Sequence, residues 1–235
     1  MKKDILKIIY NSYERWASQV DIACRKGCGV CCTQDVMTTS IESDLIIDFV
    51  RENSMERWFV EKLEGHLPGL HHKPTTNEFA QACLSGQDID PGSGSFSETC
   101  PFLEDDLCSI YEARPFGCRS FFSTTPCKPG SSAAVPRFLM SGATAIDQII
   151  EHLDQGSPWG NMLHLLYLKA HQKPAFHTFF KTPENLQIAT YCSKAKPLPG
   201  FLIDNEDYPH VLPLLDSIFD TEVAGRKVED ILNNR

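Results

Sequence analysis

Four cysteines lie within nine residues near the start of the chain: Cys24, Cys28, Cys31 and Cys32. On a helix this spacing would place all four on one buried face. Gly27 and Gly29 argue against a helix, because two glycines in one turn cost about 2 kcal/mol of helix propensity relative to alanine. Glycine beside cysteine suits a metal-binding turn, where backbone amides point at sulfur and the torsions exclude a side chain. The segment therefore predicts a loop whose deprotonated thiolates hold a metal.

The adjacent pair Cys31 and Cys32 indicates that this loop does not complete a site alone. Neighbouring cysteines reach one ion with difficulty, so we expect the two to face different metals, or only one of them to ligate. Cys28-x-x-Cys31 has the common two-ligand spacing of zinc and iron–sulfur sites. The missing ligands are expected from a second group: Cys100, Cys108 and Cys118. Cys127 is a weaker candidate, while Cys83 and Cys192 lie in helix-like surroundings and are expected to be ordinary thiols.

The chain has ten cysteines, and their chemistry depends on the compartment. The apolar residues near the N-terminus are interrupted by charged and polar ones, which is unlike a signal peptide. No run approaches the ~20 apolar residues of a membrane span. We therefore predict a cytoplasmic protein, in which clustered cysteines bind metal more often than they form disulfides. Disulfides and plain buried thiols are the alternatives.

The charged residues bear on which ligands the protein can bind. A net charge of -9 argues against a binder of nucleic acid or of anionic membranes, which would normally show a basic face. Basic residues nevertheless lie close to the cysteines: Arg25, Lys26, Arg114 and Arg119. A zinc ion or an oxidised four-iron cluster with four thiolates carries a charge of about -2, which nearby cations stabilise. We expect Arg114 and Arg119 to contribute to cofactor binding; the alternative is that they are solvated surface residues.

Apolar periodicity predicts mainly helices around one small β element. In the first half, helices are expected over 3–18 and over 77–84. A helix is also expected from a capping box at Thr39 and Glu42, and a cap-like Asn53 indicates either a second short helix or a bend in the same one. Residues 85–97 are expected to form a mobile loop, 100–111 a tight hairpin, and 114–119 a loop. In the second half, helices are expected over 137–154, over 159–172 after a Ser157-Pro158 cap, over 183–192, and after Thr221.

These elements predict a mainly α fold with a small irregular β hairpin. The expected organisation is a metal-stapled, cysteine-rich domain over 1–128 and a helical C-terminal region over 129–235. We expect the second to pack on the first as one compact unit.

The cysteine pattern resembles the CxxCxxCC family, which is described by a zinc- or iron-chelating domain. The resemblance covers roughly residues 20–125 and is carried by three motifs: Cys24-x-x-x-Cys28-Gly29-x-Cys31-Cys32, Cys100-Pro101-Phe102-Leu103, and Cys108-Ser109-Ile110-Tyr111-x-x-Arg114-Pro115-x-x-Cys118-Arg119. It implies a metal-binding cysteine cluster. The three-residue gap after Cys24 departs from the family pattern and weakens the assignment of that cysteine as a ligand.

Thiolate ligands suit both zinc and an iron–sulfur cluster. Cys100-Pro101 is similar to the cysteine–proline pair of ferredoxins. A more distant resemblance to bacterial flagellin lysine methylases, which carry a related cysteine-rich region with an iron–sulfur cluster, favours the cluster. Their activity is not carried over, because no Gly-rich S-adenosylmethionine loop follows a predicted strand.

Three functions remain open. The first is an iron–sulfur protein with a redox or enzymatic role, in which the helical region shapes a pocket for an unknown small molecule or protein partner. The second is a zinc-stapled interaction module without catalysis. The third is a thiol-redox protein that cycles Cys31 or Cys32 through disulfides. His71 and His72 are weaker candidates for metal ligands.

Overall fold

Helices form most of the regular structure of the chain. A computed structural model describes residues 1–92, 98–128 and 132–233. In these ranges the helices are α1 (Lys2–Ala17), α2 (Ser40–Glu52), α3 (Glu56–Gly65), α4 (Thr76–Leu84), α5 (Phe116–Ser120), α6 (Arg137–Leu153), α7 (Met162–His171), α8 (Pro174–His177), α9 (Gln187–Thr190), α10 (Tyr208–Phe219) and α11 (Val228–Leu232). A 3₁₀ turn, Tyr111–Ala113, precedes α5. The predicted mainly α fold is confirmed.

The strands are short and antiparallel. They are β1 (Met37–Thr39), β2 (Leu103–Glu104), β3 (Leu107–Cys108), β4 (Pro158–Asn161), β5 (Ser193–Lys194), β6 (Glu222–Val223) and β7 (Arg226–Lys227). β2 and β3 form the hairpin that the sequence predicts. The β1-β4-β5 sheet and the β6-β7 hairpin were not predicted.

Contacts between the N-terminal and C-terminal regions are extensive. β1 pairs with β4 in the register Met37↔Asn161, although the two strands are far apart in sequence. α1 packs on α6 and α10, with Trp16 set edge-on against Phe138 at 5.9 Å between ring centroids. The division into 1–128 and 129–235 stays a prediction, and 129–131 lie outside the described residues.

Several predicted boundaries are wrong. Residues 114–119 are not all loop, because Pro115 is the N-cap of α5. Ser157-Pro158 does not start a helix: residues 158–161 form β4, and α7 begins four residues later, where the Asn161 side chain accepts from the backbone N–H of Leu163. The predicted helix over 183–192 is reduced to α9.

Other predicted elements are close to the observed ones. The Thr39–Glu42 capping box is present at α2, whereas α3 begins after Met55 without a side-chain cap, so the cap at Asn53 is wrong. Of the predicted mobile loop 85–97, residues 93–97 lie outside the described ranges. None of the helices over the described residues is both long and apolar enough to cross a membrane.

Candidate metal centre

The cysteine loop that follows α1 is built from two tight turns. The backbone N–H of Cys28 donates to the carbonyl of Arg25 at 3.0 Å, and that of Cys32 donates to the carbonyl of Gly29 at 3.1 Å. Gly27 has φ = +91°, a conformation that a residue with a side chain rarely adopts. The segment is therefore a loop, as its glycines predict, and its cysteines are not on a helix face.

A second cysteine segment pairs with this loop. The backbone N–H of Cys100 donates to the carbonyl of Cys32 at 3.0 Å, and Thr33 forms an isolated antiparallel bridge with Thr99. The pairing brings together two segments that are well separated in sequence. It places Cys100 directly beside the adjacent cysteine pair of the loop.

The β2-β3 hairpin then brings Cys108 back to the loop. Its two central residues, Asp105 and Asp106, have φ of 49° and 62°, which is the geometry of a type I′ turn. The hairpin packs closely on the loop, since a Cβ added at Gly29 would lie 2.7 Å from Cδ2 of Leu103. The close approach explains why a glycine stands at this position.

Cys118 is positioned by α5, which is anchored in the core. Phe116 is fully buried and packs edge-on against Tyr13 at 4.8 Å between centroids. The backbone N–H of Phe116 donates to Glu42 at 2.8 Å. These contacts fix the first turn of α5, so that Cys118 faces the same space as the loop and the hairpin.

The seven predicted ligands all line one cleft of about 570 Å³, which we call the thiol cleft: Cys24, Cys28, Cys31, Cys32, Cys100, Cys108 and Cys118. The structure therefore brings the whole predicted set together. Cys83 and Cys192 do not line it, in keeping with their interpretation as ordinary thiols. All ten cysteines are free thiols.

The electrostatic neighbours of Cys24 and of Cys32 give two overlapping sets of thiols. The charges of Cys28, Cys127 and Cys31 each raise the pKa of Cys24, and we call these four the first thiol group. The second thiol group is Cys32, Cys100, Cys108 and Cys118. The charges of Cys118 and Cys100 add to the raised pKa of Cys32, and the charge of Cys108 adds to the raised pKa of Cys100 and of Cys118. The two groups meet at Cys31 and Cys32, which share a hydrogen bond, and the charge of Cys31 also raises the pKa of Cys32.

Protons are unevenly distributed over these thiols. A hydrogen bond from Cys32 lowers the pKa of Cys31 to about 6, and the same bond raises the pKa of Cys32. Burial raises the pKa of Cys100 to about 11, and it raises that of Cys118 as well. In the metal-free protein the second thiol group is therefore protonated, and metal binding must release these protons.

The donor chemistry fits a thiolate-bound metal. Soft sulfur donors select zinc or iron–sulfur clusters. Backbone N–H groups already point at several sulfurs: that of Ser123 lies 3.2 Å from Sγ of Cys24, and those of Phe102 and Ile110 donate to Cys100 and Cys108. Across residues 1–92, 98–128 and 132–233, no three His, Cys, Asp or Glu side chains converge closely enough to hold a single ion.

The two predicted arginines have different surroundings. Arg114 lies with its guanidinium 3.8 Å from the centroid of the Tyr111 ring. Burial raises the pKa of Cys108 and of Cys118, and the positive charge of Arg114 offsets part of that rise. Arg119 donates to the backbone carbonyls of Arg114 and Glu112, each at 2.8 Å, and forms an ion pair with Glu14. Arg114 therefore acts on the second thiol group electrostatically, whereas Arg119 ties α5 to α1.

The thiol cleft also has a carboxylate wall, formed by Glu42 and Asp147, which sequence reasoning missed. The charge of Glu42 contributes to the raised pKa of Cys118, so the wall lies near the second thiol group. Glu42 was recognised only as part of a capping box. Asp147 stands among apolar residues of α6, and that isolated acidic residue was the available signal.

The histidine candidates lie elsewhere. His72 stacks on Tyr191 at 4.6 Å between centroids, and neither His71 nor His72 lines the thiol cleft. His164 is buried and its Nε2 lies 3.0 Å from the carbonyl oxygen of Pro68. The cleft is thus a site of thiols and carboxylates.

Comparison with known proteins gives one result. Residues 23–135 match the model of a family described as "CxxCxxCC: Putative zinc- or iron-chelating domain". Searches of curated proteins and of solved structures gave no match. The matched range contains all eight cysteines of the two thiol groups, and residues 23–135 of this chain are a domain of the CxxCxxCC family.

Proposed function

We propose that the second thiol group holds an iron–sulfur cluster, and that the protein has a redox or enzymatic role on a small molecule or protein bound in the thiol cleft. The first thiol group would hold a second metal, because adjacent cysteines such as Cys31 and Cys32 reach a single metal with difficulty. The supporting observation is the separation of the sulfurs around an open cleft.

A single zinc ion and a four-iron cluster need their cysteine ligands at different separations. Four thiolates around one zinc ion, with Zn–S bonds of about 2.3 Å, must bring their sulfurs to about 3.8 Å from one another. A four-iron cluster is larger and takes its four cysteine ligands from more widely separated points. Over the described part of the chain no three donors converge on one point, while the thiols line a cleft of about 570 Å³. This arrangement favours a cluster over a single ion.

The residues around the second thiol group suit a negatively charged centre. Backbone N–H groups donate to the sulfurs of Cys100 and Cys108, and Arg114 adds a positive charge. Hydrogen bonds to sulfur, net charge and exposure set the reduction potential of such a centre. A bound cluster would supply one-electron transfer, and these residues would stabilise its charge.

The proposal is tested by purifying the protein without oxygen and measuring its visible absorbance, iron and acid-labile sulfide. We expect a brown protein whose visible band bleaches on reduction. Colourless protein with stoichiometric zinc would overturn the cluster and leave a zinc-stapled interaction module.

Single serine variants test the ligand assignment. We expect Cys108→Ser and Cys28→Ser each to lose metal, because each removes a thiolate from one group. Cys192→Ser is the matched control, since this half-buried cysteine does not line the cleft. Equal metal content in all three variants would refute the assignment.

A further inference from the structure

Exposed apolar side chains cluster at the mouth of the thiol cleft. Leu107 of the hairpin is 50% exposed, Val30 of the cysteine loop 52%, and Phe121, which follows α5, 61%. Phe121 lines the cleft, and a Cβ added at Gly27 would lie 4.0 Å from Cδ2 of Leu107. Val30 directly precedes Cys31, which is exposed and lines the cleft. A contiguous group of exposed apolar residues is typical of a surface that another molecule covers.

Exposed charged side chains flank these apolar residues. Arg25 lines the cleft, and over the described part of the chain its side chain has neither a hydrogen bond nor an ion pair. The same holds for Asp105 and Asp106, the two exposed residues of the hairpin turn. We call the charged and apolar residues together the cleft rim: Arg25, Val30, Asp105, Asp106, Leu107 and Phe121. The rim therefore carries both signs of charge, and neither sign is paired within the described chain.

Contacts between the loop and the hairpin set the order of these residues. Leu107 lies beside Gly27. Asp106 lies further along the loop, since its Oδ1 would be 3.3 Å from a Cβ added at Gly29. Arg25 precedes Gly27 in the loop. Along the loop, the rim runs from a positive charge through an apolar centre to a negative charge.

This order makes the rim complementary to itself. A two-fold interface uses the same patch on both copies, so a group at one end of the patch meets the group at the other end of its partner. With the axis near Leu107, Arg25 of each copy would face the hairpin turn of the other, and the apolar residues would meet at the centre. A uniformly acidic or basic partner would instead set like charges against one end of the rim.

We propose that the cleft rim docks a second copy of this chain and forms a two-fold symmetric dimer. The two thiol clefts would then lie mouth to mouth, with the exposed Cys31 covered. The net charge of -9 repels the copies from each other, so the dimer is weak, with a dissociation constant on the order of 10 µM. The proposal does not rest on the iron–sulfur cluster, because the rim contains none of the thiols.

Sedimentation velocity of anaerobically purified protein with its own metal tests the proposal. We expect a reversible monomer–dimer equilibrium between about 1 and 100 µM. Leu107→Ser should raise the dissociation constant at least about tenfold, because it removes the apolar centre. Leu186→Ser is the matched control, since this leucine is 71% exposed at the N-cap of α9, and it should leave the equilibrium unchanged.

Charge reversal tests the pairing across the axis. The loop variant is Arg25→Asp, and the hairpin variant combines Asp105→Asn with Asp106→Lys. Each alone sets like charges against each other on both sides of the axis, so each should be monomeric over the same range. An equimolar mixture should dimerise again, because both contacts of the mixed pair are complementary.

Three results would overturn the proposal. They are a wild-type protein that stays monomeric at about 100 µM, a dimer unaffected by either charge variant, and a mixture of the two variants that stays monomeric. Circular dichroism and metal content check that each variant is folded and loaded. If the hairpin variant does not fold, Asp106→Asn replaces it, because asparagine tolerates the observed φ of 62°, and an unchanged dissociation constant there and in Arg25→Asp would refute the pairing.

Discussion

The buried Glu42 carboxylate joins three elements that position the thiol cleft. Its two oxygens accept from Tyr10 in α1, from Thr38 and Thr39 before α2, and from the backbone N–H of Phe116 at the start of α5. The residue is only 4% exposed. We therefore expect Glu42→Gln, which keeps the shape of the side chain, to destabilise the protein strongly.

The expected size follows from the geometry of the two oxygens. Each accepts one backbone N–H: Oε2 from Thr39 at 2.9 Å and Oε1 from Phe116 at 2.8 Å. A glutamine has one oxygen and one NH₂ group, so either orientation sets the NH₂ against a backbone N–H. The NH₂ group can donate to the neighbouring Tyr10, Thr38 or Thr39 hydroxyl, but the backbone N–H beside it is left unsatisfied, which gives a loss of about 1–3 kcal/mol in the free energy of unfolding.

Urea denaturation, followed by circular dichroism with both proteins in the same metal state, measures this loss. Glu61→Gln is the matched control, because Glu61 is exposed on α3, and it should stay within about 0.5 kcal/mol of the wild type. A Glu42→Gln protein as stable as that control would refute the role of the network.

Two further predictions test packing and thiol reactivity. Gly142→Ala should lower the free energy of unfolding by about 1–3 kcal/mol in the same urea assay, because the new Cβ would lie 2.7 Å from Cζ3 of Trp16. Gly65→Ala is its control: the new Cβ would meet nothing within 4 Å, so the stability should not change. In the metal-free protein at pH 7, brief alkylation should modify Cys31 well before Cys118, as detected by mass spectrometry. The reason is that the pKa of Cys31 is about 6, whereas burial raises the pKa of Cys118. Equal rates of alkylation would contradict these protonation states.

The cysteines that line the thiol cleft could be predicted from the sequence because the signal is local. Cys28-x-x-Cys31 and the glycines of the loop indicate a metal-binding turn, and the acidic residues after Leu103 indicate the hairpin that returns Cys108. The structure brings these thiols into one cleft. The expectation that Cys31 and Cys32 face different metals, or that only one of them ligates, stays a prediction.

The C-terminal half was harder to predict because its elements depend on distant partners. Residues 158–161 form a strand by pairing with β1, a partner more than a hundred residues earlier in the chain. α10 was missed because Pro209 and Pro213 argue against a helix, although Pro209 occupies the first turn, where a missing N–H costs little. Tertiary pairing and packing overcame the local signals in both places.

The carboxylate wall escaped prediction for a related reason. Glu42 and Asp147 lie far apart in sequence, and each has a local explanation, as part of a helix cap and as a polar residue of an amphipathic helix. Only the packing of α2 on the rest of the fold shows that both line the thiol cleft. Such a site cannot be inferred from spacing along the chain.

X-ray absorption at the iron and zinc edges of anaerobically purified protein tests the central claim most directly. We expect iron with sulfur neighbours and an additional iron–iron scattering contribution, and we expect both of these signals to be lost in Cys108→Ser. Zinc with four sulfurs at about 2.3 Å, and no iron, would contradict it.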